Sequence, residues 1–159
     1  MVHNSVHNMY LCIDTTTSEA GITLVNEKAY YVKLDLHHVS EDILKKIDEL
    51  IQKANIKLAD IKGVFVIKGP GSFTGLRVGI AVANQFAHQL KIPIIGLRTD
   101  EWWGNRTDEK DFVYLQSMNK SEVYADDKIV PIEELRGSAK WTGQLSDDHR
   151  PKLPSDFKE

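Results

Sequence analysis

Three observations predict an α/β protein on a mixed sheet, ordered βββαβαβ over residues 9–100. Short apolar runs bounded by turn residues open the segment, an amphipathic helical stripe follows, and a continuous apolar run, "GVFVI", leads into a glycine-rich turn and a second helix. Taken in order, "MYLCID" ends in the turn-prone "DTTTSE", and "AGITLV" and "AYYVKLDL" follow with "NEK" between them, which makes a meander of three strands. Ser40 is placed as the N-cap of the first helix, with Glu41 and Asp42 at the positive end of its dipole and Val39 and Leu44 at the staple positions. Ile43, Leu44, Ile47, Leu50, Ile51 and Ala54 recur at helical spacing, a stripe roughly 120° wide that suits one helix lying on one sheet. "GVFVI" then reads as a strand buried on both faces, and "IPIIGL" as the strand after the second helix, so that two right-handed crossovers add parallel strands to the meander. Beyond them "DFVYLQSM" and "SEVYADDKIV" read as a hairpin, "PIEELRG" as a proline-started helical turn and "AKWTGQL" as a last strand. The expected organisation is a loose extension over 1–8, a first lobe over 9–100, a reduced second lobe over 101–147 and a loose tail over 148–159.

At 159 residues, 42% apolar and 27% charged, the chain can bury a core and is too balanced to be disordered. A formal charge of −3 gives no basic footprint, so any contact with nucleic acid should be indirect. The single cysteine, Cys12, sits in an apolar run, which excludes a disulfide within the chain and favours a cytoplasmic setting. No segment approaches the roughly 18 apolar residues of a membrane span, and "MVHNSVHN" lacks the pattern of a signal peptide.

The loop "IKGPGSFTGLRVG" joins strand to helix, where phosphates are often held, yet it fits no standard phosphate motif. A Walker A loop requires a lysine where none follows Gly75, and the dinucleotide fingerprint fails because Gly75 comes one residue too late after Gly69 and Gly71. Two readings remain. Backbone N–H groups at the helix start, with Ser72 or Thr74 as cap and Arg77 one turn inside, could hold an anion, or Gly69, Pro70 and Gly71 simply make a tight turn whose glycines supply positive φ.

The second helix carries one full charge, Arg77, between residues 72 and 90, and its apolar and small residues span roughly 180° at about 100° per residue, more than one sheet face can use. Gly75, Gly79, Ala83 and Ala87 repeat every fourth residue, a ridge that lets another element approach closely. That element could be the first helix of the chain or a helix of another subunit.

"GPGSFTGLRVGIAVANQFA", with "LCIDTTTSEAGITL", "IPIIGLRT" and "SEVY", closely resembles the TsaB (YeaZ) family of bacterial tRNA-modification proteins. The resemblance implies an actin/sugar-kinase-like fold (ASKHA) and a non-catalytic subunit that pairs with TsaD, the enzyme transferring a threonylcarbamoyl group to an adenosine of tRNA, with the ATPase TsaE joining the assembly. It implies pairing through the two helices of the first lobe, here about 40–55 and 72–90, with self-pairing through the same surface as a competing state. The interface residues so expected are Ser40, Ile43, Ile47, Phe73, Gly75, Leu76, Gly79, Ile80, Ala83, Phe86 and Ala87. No cofactor, metal or membrane is implied. Ser117 and Asn119 stand where the family commonly has Asp and Arg, and the chain is shorter than typical members.

A small nucleotide-binding phosphotransferase of the same fold is the alternative, with Asp14 positioning magnesium, and Asp14, Thr15, Gly69, Gly71, Ser72 and Arg77 are the candidates for a vestigial phosphate loop. Asp14 and the threonines after it equally suit a self-capped turn. His37 and His38 are adjacent, and neighbours in sequence rarely converge on one metal. Ser72 lacks a nucleophile elbow. Trp102 and Trp103 suit capping of the sheet end better than a contact surface, and Arg77, Asn84 and His88 form a polar edge of the second helix.

Overall fold

A computed structural model describes residues 8–16, 20–104, 116–117, 122–125 and 128–131. The expected extension at 1–8, apart from its last residue, the tail at 148–159, the strand in "AKWTGQL" and Asn119 lie outside the described residues.

The meander forms as expected: β1 (Met9–Asp14), β2 (Gly21–Val25) and β3 (Ala29–Lys33) pair antiparallel in succession. Helix α1 (Val39–Ala54) and a 3-10 turn (Leu58–Asp60) lead to β4 (Ile61–Ile67), parallel to β1. Helix α2 (Phe73–Leu90) leads to β5 (Ile94–Leu97), parallel to β4, and a short α3 (Thr99–Gly104) follows. The sheet order is β3-β2-β1-β4-β5, the mixed sheet that the pattern βββαβαβ predicts.

Central strands β1 and β4 are apolar on both faces because both faces are covered. Met9, Leu11 and Ile13 of β1 point with Val64 and Val66 of β4 toward Val39, Ile43, Ile47 and Leu50 of α1 and Ala83 of α2. Tyr10, Cys12, Phe65 and Ile67 point the other way, where Trp102 of α3 joins them and the Tyr10 and Phe65 rings meet edge-on at 6.0 Å. Trp102 therefore packs on the second face of the sheet, while the Trp103 side chain lies outside the described residues.

Two local expectations are corrected. Helix α1 starts at Val39, with His38 rather than Ser40 in the N-cap position, and Ser40 is exposed in the first turn. The carbonyl of His38 accepts from the N–H groups of Glu41 and Asp42, and Asp35, three residues upstream of His38, accepts from the His37 N–H at 2.9 Å and lies 3.2 Å from His38 Nδ1. The staple is also absent, since Val39 is buried and Leu44 is 58% exposed.

Beyond residue 104 the expected hairpin forms from β6 (Gln116–Ser117) and β7 (Glu122–Ala125), which pair antiparallel, and β8 (Lys128–Pro131) adds a third antiparallel strand. "SEVYADDKIV" contributes to both β7 and β8, and Pro131, expected to start a helical turn, ends β8 opposite Glu122.

Candidate functional site

The glycine loop and the turn after β1 are brought together, as the phosphate-loop candidates require, but they are bonded to each other. Asp14 folds back on its own turn: its Oδ1 accepts from the Thr16 N–H at 3.0 Å and from the Thr16 hydroxyl at 2.6 Å. Thr15 donates its hydroxyl to the Gly75 carbonyl at 2.7 Å, and the Ser72 N–H donates to the Thr16 carbonyl at 2.8 Å. Ser72 caps α2 in turn, its Oγ accepting from the Gly75 N–H at 3.2 Å. On the far side Thr99 donates its N–H to Gly69 and its hydroxyl to Pro70, at 2.9 and 2.5 Å. Gly69 has φ +111°, the left-handed region its role demands, and Gly71 lies so close to Thr16 that a Cβ there would stand 2.6 Å from the threonine Cβ.

Two of the donors that an anion at this loop would use are therefore engaged within the protein. The N–H groups of Ser72 and Gly75 are both taken, and Arg77 does not reach the loop. Its guanidinium stacks over the exposed Phe73 ring, 4.9 Å from the centroid, which corrects its assignment to a phosphate site. Among the described residues no group of three or more His, Cys, Asp or Glu side chains is placed to hold a metal ion. Burial pushes the Cys12 thiol up to about 12, so it is an inert core group rather than a nucleophile.

The small-residue ridge of α2 also has its partner inside the chain. Gly75, Gly79, Ala83 and Ala87 all face inward. A Cβ on Gly75 would collide with the Thr15 carbonyl oxygen, and one on Gly79 with the Thr15 hydroxyl. Thr15, just after β1, is thus what Gly75 and Gly79 admit, Ala83 lies in the core with α1, and no other subunit is needed to explain the ridge. This corrects the expectation that Gly75, Gly79, Ala83 and Ala87 meet a partner. The same holds for Ile43 and Ile47, each 1% exposed within the core.

What remains on the outer side of the α1/α2 layer is a smaller apolar set. Phe73 is 73% exposed, and Leu44 of α1 is exposed as well. Leu76, Ile80 and Phe86 are half-buried on the flanks of α2, and Arg77, Asn84 and His88 are exposed. Sequence periodicity placed Leu44 on the core-facing stripe, and its position at the edge of that stripe was the available sign of exposure. Thr99 was missed altogether, and nothing in its spacing marks it. Among the described residues no helix is long and apolar enough to cross a membrane.

Taken together, the mixed five-stranded sheet with two helices on one face and the clasped glycine loop define an actin/sugar-kinase-like lobe. A family model described as "TsaD: tRNA N6-adenosine threonylcarbamoyltransferase" matches residues 34–138, and the chain belongs to this family, on its TsaB/YeaZ branch. Curated relatives named "tRNA threonylcarbamoyladenosine biosynthesis protein TsaB" include that of Buchnera aphidicola subsp. Schizaphis graminum, 34% identical over 95 residues, 58% of this chain and 45% of the relative. That of Escherichia coli is 32% identical over 91 residues, 56% of this chain and 39% of the relative, and that of Bacillus subtilis 28% over 137 residues, 84% and 53%. The chain spans about half the length of the curated relatives it matches, or less. In fold it is similar to the solved YeaZ from Pseudomonas aeruginosa, with a TM-score of 0.69 at 20% identity, covering 86% of this chain and 72% of that one.

Proposed function

We propose that the chain is a non-catalytic subunit in the formation of threonylcarbamoyladenosine in tRNA, docking a TsaD-like enzyme through the outer side of α1 and α2. The single observation that carries this reading is Phe73, a large aromatic ring 73% exposed beside Leu76 and Ile80, on a helix whose remaining apolar surface is used within the fold. An isolated exposed leucine needs no explanation, whereas an exposed phenylalanine rimmed by polar residues suits an anchor for a partner pocket. The names of the curated relatives support the process, and the match to the TsaD family model supports a partner of related fold. A TsaE-like ATPase would join through that complex, tRNA would be met only through the partner, and the setting would be cytoplasmic. The two-lobe division at about residue 100 belongs to the same reading.

Phosphotransfer is disfavoured by the clasped loops. The Thr15 hydroxyl and the N–H groups of Ser72 and Gly75, which a phosphate cradle would draw on, are already bonded to protein carbonyls and to the Ser72 hydroxyl.

The test is the mass, by light scattering, of the chain mixed with the TsaD-like protein encoded in the same genome. A one-to-one complex is expected for the native chain, and its loss for Phe73→Asp and Leu44→Asp, with circular dichroism unchanged. A complex that survives both substitutions, or no complex at micromolar concentration from a folded chain, overturns the reading. Bulk at Gly79 is unsuitable as a probe because it would strike Thr15 and unseat α2.

A further inference from the structure

The outer surface of α2 holds a charge as well as an apolar anchor. Arg77 lies one turn after Phe73, with its guanidinium carbon 4.9 Å from the centre of that ring, and it is exposed. Among the described residues it makes no ion pair, although Lys46 pairs with Glu49 at 2.8 Å and Arg98 with Asp100 at 2.9 Å. A pocket deep enough to take the Phe73 ring must therefore also cover the guanidinium stacked on it. Removing that cation from water without a partner is strongly unfavourable.

We infer that the docking partner presents a carboxylate to Arg77 beside the apolar pocket that receives Phe73, which makes Arg77 the specificity determinant of the interface. This rests on the docking reading above and adds the chemistry of the partner. The guanidinium lies beside the ring before docking, and a guanidinium edge offers two parallel donors, the geometry that a carboxylate matches in a bidentate pair. A phosphate-tracking role does not fit, because the chain is net −3 and Arg77 is the only Lys or Arg within Phe73–Leu90. A second copy docked α2 against α2 offers Arg77 no carboxylate, since Phe73–Leu90 contains no Asp or Glu, whereas one docked through α1 would offer Glu41 or Asp42, the case that self-association tests below. A heterologous partner with an acidic residue at the edge of an apolar groove satisfies both groups at once.

The measurement is the affinity of the full chain for the TsaD-like protein of the same genome, by calorimetry at low and high salt, for the native chain, Arg77→Gln, Arg77→Lys and Phe73→Asp. The expected result is binding weakened about tenfold or more in Arg77→Gln, less in Arg77→Lys, and a salt dependence that flattens in Arg77→Gln because the ion pair is gone. Unchanged affinity in Arg77→Gln while Phe73→Asp abolishes binding would overturn the inference and leave the docking face standing. Weakening without any change in salt dependence would reduce Arg77 to a brace for the Phe73 ring and also overturn it. Native affinity in Phe73→Asp would remove the docking face itself. Self-association of the native chain that Arg77→Gln abolishes, with no binding to the TsaD-like protein, would assign the carboxylate to a second copy and overturn the heterologous partner.

Discussion

Thr15 helps to position α2. It closes β1, donates its hydroxyl to the Gly75 carbonyl, and occupies the space left by the missing side chains of Gly75 and Gly79. Glycine within a helix costs about 1 kcal/mol relative to alanine, so two of them need a compensating contact, and this one lies inside the chain. Gly79→Ala should therefore destabilise, against the usual gain from replacing a helical glycine. A loss of about 1–3 kcal/mol in urea denaturation is expected, because the added Cβ forces the threonine or the helix to move. A gain in stability would show that α2 can shift outward without penalty. Periodicity made the ridge visible but not its direction, since a row of small residues admits a strand turn, a helix or a partner equally well. Only the placement of Thr15, distant in sequence, decides among them.

At the scale of elements, order and type were legible where one period persisted. Seven elements over residues 9–100 appear as the pattern predicts, because β1 and β4 are buried on both faces and α1 has a single stripe. Their ends were less legible. Ser40 has the chemistry of a cap, yet the chain enters α1 through a turn at Asp35 that sets the start at Val39. That turn has a pH signature. Asp35 is held below its ordinary 3.8, first by the His37 N–H and then by His38, and His38 is held above its ordinary 6.5 by the Asp35 carboxylate. The Asp35 contribution is present above 3.8 and is lost as pH falls through its lowered value. The His38 contribution is complete below 6.5 and is lost as pH rises through its raised value. The pair thus supports the α1 entry chiefly in the mildly acidic range. Both groups are exposed, so the readout is titration rather than stability. In Asp35→Asn the His38 midpoint, followed by NMR, should fall toward its ordinary value, and an unchanged midpoint would mean that the contact is not populated in solution.

For the whole molecule, the sheet order ranks local stability. β1 and β4 are paired on both sides and buried on both faces, whereas β3 and β5 lie at the edges and Ile94 and Ile95 of β5 are exposed. Hydrogen exchange should be slowest in β1 and β4 and fastest in β3 and β5, and equal protection across the sheet would mean that the edges are covered in solution.

The clasp between Thr15 and Gly75 joins positions sixty apart in the sequence. Closing a contact of such long span costs loop entropy that no local contact offsets. Helix α2 is seated against Thr15 only where that closure has been made. The side of the helix that bears Phe73 and Arg77 thus gains a fixed orientation only in a finished lobe. An enzyme that binds this side would leave incompletely folded chains unengaged, and assembly would inspect folding without any separate device.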